Sequence, residues 1–246
     1  MTLRIRCRQA MNNKSDSVNK LAAIVILAGG ASHRMGSAKA ELTLPTGERV
    51  LDYHIRQAIR LNVPTMIADR GRGFAVSAAV LGDNPELSMT HIIDYHTTSA
   101  TDNDPLDTPQ GPLVAIQSAL QFLLSAPSVS HKQPSWLMVV SCDSLISATE
   151  LWQWLYPHIQ SPSARTLDNS VICVSDDEHL YPLLGLYRSD IEPSLRAYID
   201  SGERKVMRFI EPISCKVLAP TEWLDLTNFN TPRDFERACR AFISAY

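Results

Sequence analysis

The sequence lacks the features that would assign it to several common protein classes. It has no run of about 18 uncharged apolar residues, so no membrane-spanning segment is expected. Its N-terminus is basic but carries no apolar core of signal-peptide length. Its 23 basic and 26 acidic side chains give a net charge of −3, whereas nucleic-acid-binding domains are strongly basic. We therefore expect neither a membrane nor a nucleic acid among its partners.

Cysteine is scarce, and the familiar catalytic or metal-binding patterns of cysteine, histidine and serine are missing. No Cys-x-x-Cys, His-Glu-x-x-His or Gly-x-Ser-x-Gly motif is present. An odd number of scattered cysteines favours reduced thiols in a reducing compartment, most simply the cytoplasm. The five cysteines are Cys7, Cys142, Cys173, Cys215 and Cys239.

Length and hydrophobic content limit the possible folds. A chain of 246 residues fits one large α/β domain or two small ones, and a hydrophobic content of 45% suffices for a full core. Residues 1–20 are expected to be a disordered or loosely attached lead, and residues 21–246 the functional domain. Two alternatives exist for the lead, namely a natural start at Met11 and a basic organellar presequence.

Apolar strand-like runs alternate with segments of helical periodicity. The predicted strands are Leu21–Leu27, Pro64–Ala68, Thr90–Ile93, Trp136–Ser141, Val171–Val174 and Tyr181–Leu186. The predicted helices are Arg49–Leu61, Gly111–Leu124, Ile191–Asp200 and one that begins at Thr231-Pro232. Such alternation predicts a mainly parallel sheet with helices on both sides, in which ligands bind at the carboxyl ends of the strands. The polar stretch Tyr95–Gln110 is predicted to be a long, mobile loop.

The segment from Leu27 to Lys39, LAGGASHRMGSAK, directly follows the first predicted strand. Gly29 and Gly30 let the backbone approach a ligand closely, and the amides of such a loop can point at phosphate oxygens. Arg34 and Lys39 add full positive charge. This combination indicates a polyphosphate-binding loop, with a plain glycine turn between strand and helix as the alternative.

The spacing of this loop matches neither of the two common nucleotide-binding motifs. The P-loop requires Gly-x-x-x-x-Gly-Lys-Ser/Thr and the dinucleotide fingerprint requires Gly-x-Gly-x-x-Gly. Gly29, Gly30, Gly36 and Lys39 fit neither pattern. The loop instead resembles the signature of nucleotidyltransferases that join a nucleoside triphosphate to a phosphorylated acceptor.

Two carboxylates follow predicted strands at the same edge of the sheet. Asp143, in VVSCDS, can hold Mg²⁺, which binds proteins through one or two carboxylates together with phosphate oxygens. The alternative is that Asp143 caps the next helix, but the nearby phosphate loop favours the metal. Asp94, which ends the run THIID, can bind a metal, water or a ribose hydroxyl, or can simply be a solvated strand end.

Two further segments have both a structural and a functional interpretation. Gly111-Pro112 opens a helix at the position that proline prefers. Gly202 is well placed to end a helix, and Arg204 and Lys205 after it either form a solvated face or contact the phosphate of an acceptor.

The C-terminal segment begins its helix with conventional capping residues. Thr231 is expected to cap the helix, Pro232 to occupy its first turn and Asp234 to complement its positive end. Packing readily explains the apolar residues that follow. It does not readily explain Asn228 and Asn230, which precede the cap.

Taken together, these pieces resemble the molybdenum cofactor guanylyltransferase family of the nucleotidyltransferase superfamily. The resemblance spans residues 22–243, nearly the whole chain. It is carried by LAGGASHRMGSAKA at 27–40, the Asp94 strand end, QGPLVAI at 110–116, SCDS at 141–144, the run at 181–210 that contains SGERKVMRF, and NFNTPRDF at 228–235. The first motif is shared across the superfamily, whereas the last two resemble this family more closely than its sugar-nucleotide relatives.

The resemblance implies a fold, an activity and partners. The fold is a Rossmann-like three-layer α/β/α arrangement with a mixed, mainly parallel sheet, of the nucleotide-diphospho-sugar transferase type. The activity is the Mg²⁺-dependent transfer of GMP from GTP to molybdopterin-bound molybdenum cofactor, with release of pyrophosphate. Proteins that supply and receive the cofactor are implied as further partners.

The resemblance also implies roles for individual residues. Backbone groups of Leu27, Ala28, Gly29 and Gly30 would hold the nucleotide, and Asp94 would contact it. Arg34 and Lys39 would clamp the phosphates and, with Asp143, carry catalysis. Asp143 would bind the nucleotide and Mg²⁺. Asn228 and Asn230 would lie near the metal and the acceptor, and Arg204 and Lys205 near the pterin.

Charge predicts the mechanism, while the substrate has alternatives. An ionised acceptor phosphate attacks the α-phosphorus in line, so neither a covalent enzyme intermediate nor a strong general base is required. Related possibilities are a transferase that uses CTP or another phosphorylated acceptor, and a non-catalytic nucleotide-binding homologue. The last is kept open by the long loop and by Leu145, which stands where the family commonly has Pro.

Overall fold

A seven-stranded sheet forms the centre of the protein in the computed structural model, which describes residues 21–30, 34–82, 89–95, 111–125, 135–160 and 169–245. The strands are β1 Leu21–Leu27, β2 Thr65–Ala68, β3 Met89–His91, β4 Trp136–Ser141, β5 Val171–Ser175, β6 Leu180–Arg188 and β7 Ser214–Leu218. Their order across the sheet is β3-β2-β1-β4-β6-β5-β7. Only β6 runs antiparallel to its neighbours, which confirms the predicted mixed, mainly parallel sheet.

Helices cover both faces of this sheet. The described α-helices are α1 Val50–Ile59, α2 Ala78–Gly82, α3 Pro112–Ser125, α4 Ala148–Ile159, α5 Glu192–Asp200, α6 Val206–Ile210 and α7 Pro232–Ala245. Short 3₁₀ segments occupy Lys39–Glu41, Ser189–Ile191, Glu211–Ile213 and Thr221–Leu226. None of the helices in the described ranges has the length and apolar character that a bilayer crossing requires.

Two hydrophobic cores lie between the sheet and the helical layers, one on each face of the sheet. Alternate side chains of β1 pack in each of them. Ile24 and Ile26 pack in the core beneath α1, α4 and α7. Ala23, Val25 and Leu27 pack in the opposite core beneath α3, α5 and α6. Because successive side chains of a strand point to opposite faces, a central strand buried on both sides must be apolar throughout. The predicted three-layer α/β/α arrangement is confirmed.

Most predicted strands are confirmed, and the differences have physical reasons. The bounds of β1 and β4 are as predicted, because each is a continuous buried apolar run. The prediction of Thr90–Ile93 was wrong in its limits, since β3 starts at Met89 and ends at His91. Strand β7 was not predicted at all. It lies at the edge of the sheet and buries only Val217, so its sequence, SCKVL, carries little hydrophobic signal.

The C-terminal helix begins as its capping residues predict. The backbone N–H of Asp234 donates to Thr231 Oγ1 at 3.2 Å, and the N–H of Thr231 donates to the Asp234 carboxylate at 3.0 Å. The Thr231 hydroxyl also donates to this carboxylate, at 2.8 Å, and it is the main cause of a lowered pKa for Asp234. Phe242 of this helix packs edge-on against Tyr53 of α1 at a ring separation of 5.3 Å. Helix α7 is thereby fixed against the core.

Four parallel strands end at one edge of the sheet and place the loops of interest side by side. Leu27 at the end of β1 pairs with Ala68 at the end of β2 and with Ser141 at the end of β4. The glycine loop therefore starts between the loops that carry Arg70 and Asp143. Predictions for the lead at 1–20 and for the loop at 96–110 concern residues outside the described ranges.

Candidate active site

A cavity of about 280 Å³ lies at this edge of the sheet. It is lined by Leu27, Ala28, Gly29, Gly30, Lys39, Ala68, Arg70, Asp94, Gly111, Pro112, Ala115, Ser141, Cys142, Asp143 and Leu183. The glycine loop, Lys39 and both predicted carboxylates are thus brought to one site. This placement agrees with the rule that ligands bind at the carboxyl ends of parallel strands.

Backbone hydrogen bonds fix the start of the glycine loop. The N–H of Ala28 donates to the carbonyl of Ala68 at 2.9 Å, and the carbonyl of Leu27 accepts from the N–H of Cys142 at 3.1 Å. The loop is therefore tied to both neighbouring strands before the chain reaches Gly29 and Gly30. These bonds hold the paired glycines against the wall of the cavity.

Lys39 links two distant parts of the chain at the cavity. Its Nζ donates to Asn230 Oδ1 at 2.7 Å and lies 3.6 Å from Asp143 Oδ2. It also lies over the Phe229 ring, 5.9 Å from the ring centre. A partly buried ammonium group is thus held between a carboxylate and an amide. Such a cation can stabilise the negative charge of a bound phosphate.

The segment Asn228–Asn230 reaches the site by pairing with the loop after β4. The N–H of Phe229 donates to the backbone carbonyl of Asp143 at 2.9 Å. Asn228 adopts a φ of 52°, in the left-handed region that asparagine tolerates better than most residues. Its side-chain oxygen accepts from Asn230 Nδ2 at 3.0 Å. Both asparagines thus lie beside the Lys39–Asp143 pair, although neither lines the cavity itself.

Helix α1 supports the loop that carries Asp143. The Tyr53 hydroxyl donates to the carbonyl of Leu145 at 3.1 Å, and His54 Nε2 lies 2.8 Å from the carbonyl of Ser144. Burial lowers the pKa of His54 to about 4, so its ring is neutral at pH 7. Nε2 must therefore carry the proton and donate it, which leaves Nδ1 as a buried acceptor with no hydrogen-bond partner among the residues that the structure describes.

The opposite side of the cavity carries a second pair of charges. Arg70, after β2, places its Nε 3.8 Å from Asp94 Oδ2, after β3. Both side chains are partly buried, with 27% and 17% of their surface exposed. Asp94 thus occupies the strand end where the sequence predicts it. The cavity therefore has one cation–carboxylate pair on each side of β1.

Cys142, the cysteine that lines the cavity, is expected to be unreactive. Cys142 is buried, and burial raises the pKa of its thiol far above neutrality. A thiol that stays protonated is a poor nucleophile and a poor metal ligand. Cys142 is therefore a wall residue of the cavity and has no evident chemical role there.

Besides the two asparagines, three residues predicted for the site do not line the cavity. Arg34 is exposed. The Arg204 guanidinium donates to the backbone carbonyls of Ile199 and Glu203 at 2.7 and 2.8 Å, so it caps the end of α5. The side chain of Lys205 is exposed at the start of α6. The structural interpretation thus accounts for the contacts of Arg204.

Arg70 is the main cavity residue that sequence reasoning missed. It stands in the run ADRGRGF, which matches no nucleotide-binding motif. One signal was available, because an arginine that directly follows a buried strand lies at the same edge as the glycine loop. The supporting residues Tyr53 and His54 gave no signal, since their role depends on which loop α1 packs against.

A divalent ion would have a single protein carboxylate available on the Lys39 side. The described residues contain no group of three or more histidine, cysteine, aspartate or glutamate side chains placed to hold a metal. Asp143 is 26% exposed and faces the cavity. A lone carboxylate suits Mg²⁺, which keeps several waters and takes its remaining ligands from phosphates.

Comparison with known sequences gives relatives that carry the same functional name. Over 217 residues the chain is 26% identical to a probable molybdenum cofactor guanylyltransferase from Synechococcus elongatus, which covers 87% of this chain and 96% of that protein. Over 214 residues it is 25% identical to a molybdenum cofactor guanylyltransferase from a Shewanella species, covering 87% and 92%.

Comparison with solved structures supports the same fold. The molybdopterin-guanine dinucleotide biosynthesis protein A of Archaeoglobus fulgidus superposes with a TM-score of 0.60 at 21% identity, over 91% of this chain and all of that one. The 4-diphosphocytidyl-2C-methyl-D-erythritol synthase of Anaerococcus prevotii superposes with a TM-score of 0.54 at 8% identity, over 93% of this chain and 99% of that one. At such identities the likeness concerns the fold alone.

The match to a family covers most of the chain. Residues 24–216 match the model of the MobA-like NTP transferase domain. This range includes the glycine loop, Lys39 and all four strand-end loops around the cavity, and it ends before Asn228. The chain belongs to the MobA-like NTP transferase domain family of nucleotidyltransferases.

Proposed function

We propose that this protein transfers GMP from GTP to a molybdopterin-type molybdenum cofactor and releases pyrophosphate. The names of its full-length relatives support this reaction. The observation that carries the proposal is the position of Lys39, which bridges Asp143 and Asn230 beside the paired glycines. A cation, a carboxylate and an open glycine loop in one cavity are the parts that nucleotidyl transfer needs.

The nucleotide would lie along the glycine loop. Backbone groups of the four residues Leu27, Ala28, Gly29 and Gly30 would contact it, since all four line the cavity. Lys39 would hold the phosphates, and Asp94 would face the nucleoside. Arg34 is exposed, so its part in the clamp would require movement towards the cavity when the nucleotide binds.

Asp143 would hold Mg²⁺ together with phosphate oxygens of the nucleotide. When bound, the ion would supply positive charge to the phosphates and help to orient them. The fit rests on the single carboxylate facing the cavity and on its distance of 3.6 Å from Lys39. Two cations around one carboxylate would offset the charge of the triphosphate.

The reaction requires two anions to approach each other. The acceptor phosphate oxygen attacks the α-phosphorus, the bond to the leaving pyrophosphate breaks, and the nucleotide becomes joined to the acceptor. Lys39 would stabilise the charge that develops on the oxygens in the plane of transfer. No proton needs to be removed from an ionised acceptor phosphate, so this step requires no general base.

The acceptor would enter from the side of Asn228 and Asn230. These amides offer both donors and acceptors next to Lys39. Lys205, exposed after α5, and the backbone of Arg204, which lies close to Gly111 at the cavity, would border the pterin. Proteins that deliver and collect the cofactor would have to reach this same side.

Leu145 does not disturb the catalytic loop. It is fully buried, and its N–H donates to the carbonyl of Leu226 at 2.8 Å. This bond ties the Asp143 loop to the C-terminal segment that carries the asparagines. The departure from the family pattern is thus accommodated in the core, which supports an active enzyme over a non-catalytic homologue.

The test is direct. The purified protein is incubated with molybdenum cofactor, Mg²⁺ and either GTP or CTP, and pyrophosphate release is measured together with the nucleotide-linked product. The proposal expects turnover with GTP. Turnover with CTP alone would assign the related cytidylyl reaction, and tight GTP binding without turnover on any phosphorylated acceptor would assign a non-catalytic role.

A further inference from the structure

The loop that follows β2, residues 69–74, is built around one buried carboxylate. Asp69 accepts hydrogen bonds from the backbone N–H groups of Gly71 at 3.1 Å and Phe74 at 2.9 Å, and its Oδ2 lies 3.0 Å from His91 Nδ1. Within this loop Arg70 adopts a φ of 59°, a left-handed conformation that non-glycine residues rarely occupy. Asp69 therefore holds Arg70 in an unusual conformation that places its side chain at the cavity.

The stem of Arg70 lies directly on the glycine loop. A Cβ atom built on Gly29 would stand 2.5 Å from Arg70 Cγ and 3.0 Å from Arg70 Cδ. Real Cβ atoms do not approach other carbons so closely, so only glycine leaves room for this side chain. Gly29 thus has a second role besides exposing its backbone, because it lets the Arg70 guanidinium reach the cavity.

The two charge pairs stand on opposite sides of β1. The order β3-β2-β1-β4 puts Arg70 and Asp94 on one side and Asp143 on the other. In the proposed function, Lys39 and a metal held by Asp143 would draw the phosphates to their side. On the other side, Asp94 repels phosphate but accepts hydrogen bonds from hydroxyl and amino groups. The nucleoside half of the nucleotide fits that side.

We infer that Arg70 contacts the nucleoside half of the bound nucleoside triphosphate, with Asp94 beside it. This inference rests on the proposed nucleotide-binding function. A guanidinium group is planar, donates several hydrogen bonds and stacks on ring systems, so it suits a base or a ribose. Its Nε lies 3.8 Å from Asp94 Oδ2, so the two side chains form an electrostatic pair at the cavity wall.

The test compares whole and partial ligands. The substitution Arg70→Met keeps the stem over Gly29 but removes the charge and the donors. Binding of GTP, GMP and inorganic tripolyphosphate is measured by competition with a fluorescent nucleotide. Loss of a charged hydrogen bond should weaken GTP and GMP by about 10- to 100-fold and leave tripolyphosphate nearly unchanged.

A matched control is an exposed arginine away from the cavity. Arg60, at the end of α1, donates to Gln57 Oε1 at 3.1 Å and does not line the cavity, so Arg60→Met should leave the affinities for GTP and GMP close to those of the wild type. Unchanged GTP binding in Arg70→Met would overturn the inference, as would an equal loss for tripolyphosphate, which would make Arg70 a phosphate ligand. A wild-type protein that binds no nucleotide would instead overturn the proposed function.

A second experiment tests the contact between the two loops. Gly29→Ala should displace Arg70 and weaken GMP binding, whereas the same substitution in an Arg70→Gly background should cost much less, because the clashing atoms are gone. Glycine also suits position 70, where the backbone adopts a left-handed φ of 59°. Strictly additive losses in this double-mutant cycle would contradict the proposed arrangement, and thermal unfolding of each variant would verify that all of them fold.

Discussion

Lys39 is the residue whose contacts are most specific to the proposed chemistry. It is held by Asn230 at 2.7 Å and by Asp143 at 3.6 Å. Lys39→Ala should lower the turnover number about 100- to 1000-fold, because a cation positioned for the transition state would be lost. The free energy of unfolding should fall by only about 1–2 kcal/mol, since the hydrogen bond to Asn230 and the ion pair with Asp143 lie at the partly exposed edge of the cavity.

Initial rates with saturating GTP and a urea melt measure these two quantities. Lys216→Ala serves as the control, because Lys216 is exposed on β7 and far from the described cavity residues. Wild-type turnover in Lys39→Ala would refute the clamp. A collapse of stability in the same variant would make the lysine structural instead.

A substitution at Asp143 can test metal binding without disturbing the backbone contact of its loop. Asp143→Asn keeps the shape of the side chain and leaves the backbone bond from Phe229 intact, but it removes the charge that would bind the metal. We expect a turnover loss of at least about 100-fold and a lost or strongly weakened response to Mg²⁺. Titration with Mn²⁺, followed by electron paramagnetic resonance, measures the affinity directly. Asp177→Asn, an exposed change in the turn between β5 and β6 that does not line the cavity, should retain wild-type Mn²⁺ affinity.

At the scale of elements, the reversed strand β6 depends on a glycine. Gly185 pairs with Val139 of β4 and Cys173 of β5, and a Cβ atom there would stand 2.6 Å from the carbonyl oxygen of Ile172. Gly185→Ala must therefore push β5 and β6 apart. Because the clash involves backbone rather than a flexible side chain, we expect a loss of about 2–3 kcal/mol in the free energy of unfolding.

Chemical denaturation monitored by tryptophan fluorescence measures this loss. Gly82→Ala is the matched control, since no atom of the described residues lies within 4 Å of a Cβ built at that position. It should change stability by no more than about 0.5 kcal/mol. Equal effects in the two variants would mean that β5 and β6 can move apart at little cost.

Elements with strong local signals were predictable, and those defined by neighbours were not. Strand β1 could be predicted because a central parallel strand is apolar throughout. Strand β7 could not be predicted, because an edge strand needs only one buried face and its sequence is mostly polar or exposed. In the site, the glycine loop and Asp143 follow buried strands and could be placed from sequence. The bond between Lys39 and Asn230 joins residues 191 positions apart, so only the folded packing defines it.

At the scale of the whole molecule, one buried histidine couples folding to pH. His54 has a pKa of about 4 in the folded protein, against 6.5 for an exposed imidazole, and burial is the main cause. Between these values the unfolded chain binds a proton that the folded protein excludes. Stability should therefore be complete above pH 6.5, fall as the pH drops and reach a loss of about 3 kcal/mol near pH 4.

The substitution His54→Gln isolates this effect from the titration of the carboxylates. The amide nitrogen of glutamine can replace Nε2 as the donor to the Ser144 carbonyl, but it does not titrate. Urea melts between pH 4 and pH 7 in EDTA should give a shallower fall in unfolding free energy for His54→Gln than for the wild type. His158→Gln, at the far end of α4, should keep the wild-type slope. Parallel slopes for His54→Gln and the wild type would contradict the burial of a neutral histidine. A difference in slope between His54→Gln and the wild type that is confined to pH 4–6.5 would show that the contact of α1 with the Asp143 loop depends on an uncharged imidazole ring.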